Sequence, residues 1–469
     1  MINENIDLDD WAIDYKLVSN ISYEILEQYK IFPLKEYDIY ILLATVNNDN
    51  SILLGSNIFS KPIKFVSITQ KMLDFELCNL SNKSSLHKIA QKSIQNQDET
   101  AHESHIKRFL ETLFKAAISL KSSDIHIEVL KKAIVIRFRI DGILIQFFRF
   151  DVVLYPIISS TVKLFASLDI AQKRLPQNGR FSQNLGDEDY DFRISILPTI
   201  SGESIVLRIL DNKKAFLGLQ NIGFCKNVYS SMLKNIQFSH GMILITGATG
   251  SGKTTTMYSI LNELDKKKKK IITIEDPIEY NIDGVMQIQI NDEIGLSYEN
   301  VLKNILRQDP DVIMIGEIRD ENALKIAIQA SLTGHLVIAT LHTNDAIKTI
   351  NRLLDLNAKP YLIASVLRLI VSQKLVRVLC KYCKKEYMLE DKLIYKSIGC
   401  PKCNLSGYDG RAIVTEYLEI DDAIGQMINE NVDITNILSY ANYKSIRSNT
   451  YSKVLDGTTS IEEFYSHEI

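Results

Sequence analysis

The spacing of apolar residues changes its period along the chain, and each change marks a different kind of structure. From Ile106 to Leu120, Phe109, Leu113 and Ala116 recur at helical spacing, which predicts an amphipathic helix. Alternation then takes over. Asp124-Ile125-His126-Ile127-Glu128 and Ile136-Arg137-Phe138-Arg139 read as half-buried strands, and Asp141-Gly142 as a hairpin turn. A second strand pair, Arg193 to Pro198 and Ser204 to Leu210, surrounds Ser201-Gly202. Together these predict a small α+β domain over about 103 to 215. After 235 the pattern shifts to short apolar runs: Met242 to Ile245, Ile271 to Ile274, Val312 to Ile315 and Leu336 to Ala339. Helical segments separate them, which is the rhythm of a parallel sheet with crossover helices.

The first hundred residues mix both periods. Phe32-Pro33-Leu34 leads into a buried strand over Ile39 to Ala44. Polar stretches follow at Ser81 to Ser85 and at Gln95 to Asp98, and a linker is expected in the second. The resulting expectation is 1–95, 96–218 and 219–469 as successive domains. The last would carry a small subdomain at 378–406 and terminal helices over 410–469.

Composition narrows the function classes. The 469 residues are 46% hydrophobic and 24% charged, a globular balance with material for several cores. A net charge of −3 gives no global basic excess for nucleic acid. The acidic, polar start at Met1-Ile2-Asn3-Glu4 lacks the pattern of a secretory signal. No run of about 18 apolar residues occurs; the best stretch, Val152 to Ala171, is broken by Pro156, Lys163 and Asp169. A cytoplasmic protein with at most peripheral membrane contact is expected.

Gly247-Ala248-Thr249-Gly250-Ser251-Gly252-Lys253-Thr254 matches G-x-x-x-x-G-K-[ST] between an apolar run and a predicted helix. Backbone N–H groups of such a loop curl around phosphate oxygens at a helix N-terminus. Lys253 would reach the β- and γ-phosphates, and the Thr254 hydroxyl would bind Mg²⁺, with Thr255 adjoining. ATP and Mg²⁺ are the implied ligands. Three carboxylates follow an apolar run at Ile274-Glu275-Asp276-Pro277-Ile278-Glu279. Val312 to Ile315 ends in Gly316-Glu317, where most P-loop proteins place Asp at the first position. Glu317 is then the acid available to orient water or accept its proton, with Glu275 as the alternative. His342 lies at the C-terminal end of a predicted strand, where it could sense a γ-phosphate; His335 precedes that strand and suits packing or an interface.

Cys380-x2-Cys383 and Cys400-x2-Cys403, sixteen residues apart, fit a four-cysteine Zn²⁺ site. With no open position, the site would be structural. Cys78 and Cys225 read as core residues. Lys266 to Lys270 reads first as a solvated helix end, and could touch acidic lipid or nucleic acid.

The motifs occur in an order that resembles the hexameric assembly ATPases of type II secretion, type IV pilus and competence systems. They are the phosphate loop, Ile272 to Pro277, Leu306 to Asp311 with Gly316-Glu317, and Thr333 to Asn344. The resemblance covers residues from about 103 to the end, and the first hundred weakly. Ser123 to Glu128, Arg139 to Gly142 and Pro176-Gln177-Asn178-Gly179-Arg180 resemble the family's second N-terminal domain. Asn178 stands where Asp is common. The tetracysteine segment and the long N-terminal region resemble the assembly branch rather than the retraction branch.

The resemblance implies an α/β, RecA-like P-loop NTPase domain preceded by a PAS-like α+β domain, an N-terminal docking domain and a zinc subdomain. It implies a homohexamer with Arg193 and Arg208 as arginine fingers, although a strand salt bridge is the bland alternative for both. It also implies inner-membrane partners: a cytoplasmic docking protein and a polytopic platform protein. A nucleic-acid motor and an ATP-binding scaffold without turnover are the rival classes.

Overall fold

The computed structural model describes residues 2–5, 13–46, 59, 61–95, 99–131, 133–186, 188–210, 217–430, 432, 434–441 and 443–466. The chain divides into two compact units. The first holds 1–211 with 380–384 and 397–409; the second holds 212–379, 385–396 and 410–469.

The first unit contains two sheets. A four-stranded sheet is ordered Ile2–Asn5, Ile63–Ser67, Ile41–Thr45, Ile31–Glu36. The strand expected over Ile39 to Ala44 thus begins two residues later. The second sheet has six antiparallel strands, ordered Ile143–Asp151, Ala133–Ile140, Ser122–Val129, Gly202–Leu210, Asp189–Thr199, Gln177–Asn184. Its first hairpin turns at Asp141-Gly142, both with positive φ, as the dipeptide predicts. The predicted helix is longer than its apolar stripe, spanning Glu99–Ser119. Phe109, Leu113 and Phe114 are fully buried against the sheet, and Phe114 meets Phe192 at 4.7 Å between ring centres.

Two buried ion pairs tie the first unit together. Lys163 Nζ lies 2.6 Å from Glu203, and Lys83 Nζ lies 2.6 Å from Glu76, whose other oxygen accepts from Tyr15 at 2.7 Å. The second pair explains why polar Ser81 to Ser85 belongs to a helix, Leu80–Gln95: its lysine turns inward to a carboxylate. The expected linker at Gln95 to Asp98 lies mostly outside the described residues, between that helix and the one beginning at Glu99.

The second unit is built on a seven-stranded sheet. Its order is Met286–Gln289, Ile271–Glu275, Val312–Ile315, Leu336–Leu341, Gly241–Thr246, Leu367–Leu379, Tyr408–Glu419. All four runs picked out by apolarity are parallel neighbours in it. Every residue of Gly241–Thr246, Ile271–Glu275, Val312–Ile315 and Leu336–Leu341 is buried, so continuous apolar runs rather than alternation encode them. Among the described residues, no helix is long and apolar enough to cross a membrane.

Cys78 and Cys225, expected in the core, are exposed. Cys78 closes the helix Gln70–Cys78 and Cys225 caps the helix Lys226–Asn235, and both ends face solvent.

The end of the chain is stapled to the long strand Leu367–Leu379. Arg377 donates to Glu463 from Nε at 2.8 Å and Nη2 at 2.6 Å, and its backbone N–H donates to the same carboxylate. Glu463 is buried. Replacing it with Ala removes three hydrogen bonds to a largely buried arginine, and should destabilise the second unit by roughly 3 kcal/mol. Urea unfolding checks this; an unchanged midpoint would show the staple to be inert.

Candidate nucleotide site and metal centre

The strand Gly241–Thr246 ends at Gly247, and the helix Lys253–Glu263 starts from Gly252 in a left-handed conformation. Lys253 is folded over the loop, donating to Gly247 O at 2.7 Å and Ala248 O at 3.1 Å. Burial pulls its pKa down, and Glu317 opposes that shift. Ala248, Thr249, Gly250 and Thr254 are exposed, whereas Thr255 is half-buried. The Ser251 Oγ is buried and has no hydrogen-bond partner among the described residues. An exposed glycine-rich loop, a folded-over lysine and an unmatched buried hydroxyl fit a polyphosphate and its Mg²⁺.

The neighbouring strand ends bring further groups to the same edge. After Val312–Ile315, Gly316 N–H donates to Ile274 O at 2.8 Å, and Ile318 N–H donates to Thr340 O at 3.0 Å. These bonds hold Glu317 between two strands. Its Oε1 lies 3.3 Å from His342 Nε2, and its Oε2 accepts from Arg319 Nε at 3.2 Å. Arg319 Nη1 lies 3.4 Å from Asp276, and its guanidinium sits 5.8 Å from the centre of the Tyr298 ring. Burial, foremost, pushes the Tyr298 hydroxyl up to about 12. The missing Asp has a steric reason: a Cβ on Gly316 would lie 3.0 Å from Ile274 O and 3.3 Å from the Tyr298 hydroxyl.

Glu275 sits differently. It is 4% exposed, and both its oxygens are committed within the protein. Thr273 donates to Oε1 at 2.6 Å, Gln287 donates to Oε1 at 3.0 Å, and Tyr258 donates to Oε2. Tyr258 belongs to the helix after the loop, so Glu275 links that helix to two strands. Burial and the Glu275 charge push the Tyr258 hydroxyl up. Glu317, by contrast, keeps 26% of its side chain exposed. His335 precedes the strand, with Nδ1 2.9 Å from Ala330 O at the end of the helix Glu321–Leu332.

Arg193 and Arg208 belong to the first unit, and the phosphate loop to the second. They face each other across adjacent strands, in a register row running Arg139, Asp124, Arg208, Arg193, Arg180. Arg208 donates to buried Asp124 at 2.9 Å, with Arg139 3.7 Å from the same carboxylate. Arg208, Arg193 and Arg180 thus stand on three neighbouring strands in one register row. Arg180, Arg319 and Tyr258 were not picked out as site residues from sequence. Arg180 becomes a neighbour only once strand register is known, and Arg319 follows Glu317 by two in a run read as the end of a strand.

The four cysteines converge in the first unit, all Sγ atoms within 4.8 Å of one another. Cys380 to Cys400 measures 3.9 Å, Cys383 to Cys403 3.8 Å, and Cys400 to Cys403 3.8 Å. Zn–S bonds of about 2.3 Å in a tetrahedron place sulfurs about 3.8 Å apart, so the cluster fits one Zn²⁺. Cys400 and Gly407 N–H groups donate to Cys403 Sγ at 3.2 and 3.3 Å. Although burial opposes it, these bonds pull the Cys403 thiol down toward the thiolate a metal needs.

Residues 99–466 match the model of a family described as Type II/IV secretion system protein. The chain is 41% identical over 392 residues to the type II secretion system ATPase E of Vibrio cholerae, covering 80% of this chain and 78% of that protein. It is 34% identical to the type IV pilus assembly ATPase PilB of Myxococcus xanthus, covering 98% and 88%. Among solved structures, it is similar to the pilus retraction motor PilT with bound ADP. There the TM-score is 0.55 and the identity 27%, over 76% of this chain and 96% of that chain.

Proposed function

Because the chain belongs to the Type II/IV secretion system protein family, we propose that it is a homohexameric, Mg²⁺-dependent ATPase that drives assembly of a secretion pseudopilus, a type IV pilus or a competence pseudopilus. The observation that carries this reading is Glu317, held by His342 and Arg319 at the strand ends of the unit that bears Lys253. Residues Gly247 to Thr255 bind the nucleotide phosphates. Mg²⁺, held by the Thr254 hydroxyl and the phosphates, would neutralise charge on the β- and γ-oxygens. Glu317 orients a water and accepts its proton as the water oxygen attacks the γ-phosphorus and the bond to ADP breaks. Glu275 acts as a structural hub in this reading, since its oxygens are taken by Thr273, Gln287 and Tyr258. Arg193 and Arg208 neutralise phosphate charge in the transition state.

Residues 1–95 form a docking domain for a cytoplasmic inner-membrane assembly protein, 96–218 carry the fingers, and 219–469 form the motor domain. Closure around ATP moves a polytopic platform protein in the membrane. The protein works in the cytoplasm, attached to the inner face of that membrane, with acidic lipid as an additional contact.

The test is ATP turnover of wild type and Glu317→Gln, with oligomeric state recorded beside each. Turnover should fall by about 10² to 10⁴ with nucleotide binding retained, because the amide cannot take the proton. Wild-type turnover in Glu317→Gln would move the base role elsewhere. Turnover that requires DNA would favour a nucleic-acid motor.

A further inference from the structure

The middle of the strand Leu367–Leu379 carries a buried polar pair, Ser372-Gln373, after the apolar run Leu369 to Val371. This strand pairs in parallel with Gly241–Thr246, Ser372 lying opposite Thr246. Gln373 therefore stands beside Gly247, where the phosphate loop begins. Its side chain is 1% exposed, and both ends of the amide are used. Oε1 accepts from the Thr256 hydroxyl at 2.9 Å, and Nε2 donates to Ser251 O at 2.9 Å. Its backbone carbonyl closes the third side: a Cβ on Gly247 would lie 2.3 Å from Gln373 O.

We propose that Gln373 is a positioning residue that sets the curvature of the phosphate loop for nucleotide binding. Ser251 lies on the loop, and Thr256 lies in the helix that follows. The amide bridges them across Gly252 to Thr255, the stretch that holds Lys253 and Thr254. Among side chains of this length, glutamine supplies an acceptor and a donor together at neutral pH. Glutamate would keep the Thr256 bond and set a carboxylate against Ser251 O. Methionine would keep the volume and lose both bonds, leaving a buried carbonyl unmatched. Neither the amide nor Thr256 is assigned a contact with nucleotide, so the effect on binding passes through loop geometry.

The inference rests on the ATP-binding reading, and the experiment separates the two. Wild type, Gln373→Met and Gln373→Glu are compared in melting temperature, in amide hydrogen exchange over 247–256, and in affinity for a fluorescent ATP analogue. Gln373→Met should exchange faster at Ser251 to Thr254 and bind the analogue about 10-fold more weakly, a tenfold change being about 1.4 kcal/mol. Thr256→Val should produce a similar shift, and the double variant with Gln373→Met should fall well short of the sum of the two. If Gln373→Met does not fold, Gln373→Glu carries the same expectations. Unchanged exchange and unchanged affinity in a folded variant overturn the positioning role. A wild type that binds no analogue overturns the ATP reading, while loop exchange still reports whether Gln373 holds the loop.

Discussion

Arg208→Ala should lower ATP turnover by about 10³-fold or more while leaving both units folded. Two roles compete for this residue, and they differ enormously in size. As a strand salt bridge to Asp124, Arg208 keeps 62% of its side chain exposed. Asp124 is buried and keeps Arg139 3.7 Å away when Arg208 is lost, so loss of this pair alone should scarcely change turnover. As a transition-state charge, the same guanidinium accounts for about 10³ to 10⁵ in rate. Asp124→Asn is the control: it removes the salt-bridge partner and keeps the arginine. The finger reading expects near-normal turnover from Asp124→Asn and a collapse from Arg208→Ala. Equal, small effects would return Arg208 to a structural role. Mixing Arg208→Ala with Glu317→Gln subunits adds a further reading. Partial recovery of activity would mean that a site draws on residues of two chains.

Cys403→Ser should abolish metal binding and open the segment from 380 to 407 to protease. Structural zinc contributes roughly 10–16 kcal/mol of apparent binding energy in small sites, far more than so short a segment gains from its few buried side chains. Cys403 is the sharpest choice, since two backbone N–H groups converge on its sulfur. Wild type should carry about one Zn²⁺ per chain, measured by metal analysis. The damage should stop at Leu379, because Arg377 is bound to Glu463 and the Thr459 hydroxyl donates to Arg377 O at 2.7 Å. The seven-stranded core should keep its unfolding transition. Metal-free wild type with a protease-resistant 380–407 segment would show that the cysteines need no ion.

Much of the second unit was legible in the chain. The four apolar runs became four parallel strands because a strand buried on both faces needs side chains that prefer both faces dry. The glycine-rich loop, the two CxxC pairs and Glu317 were visible because their chemistry depends on residue type at close spacing. The longer strands Leu367–Leu379 and Tyr408–Glu419 were not recognised. They interleave polar residues, such as Ser372 and Gln373, that are satisfied by partners far away in sequence. Cys78 and Cys225 were misjudged for a related reason: thiols read as apolar, but both sit at helix ends.

The sequence by itself determined the family and showed the phosphate-loop and tetracysteine motifs, since each is written in local spacing. Only the tertiary structure decided which groups stand together. Two acids follow apolar strands in much the same way, yet one is enclosed by Tyr258, Thr273 and Gln287 while the other stands between His342 and Arg319. The arginine row through Arg208, Arg193 and Arg180 exists only in the register of three strands. The physical reason is the same in each case. Hydrogen bonds and charges act over a few ångströms, and only folding brings residues on different strands and helices within that range.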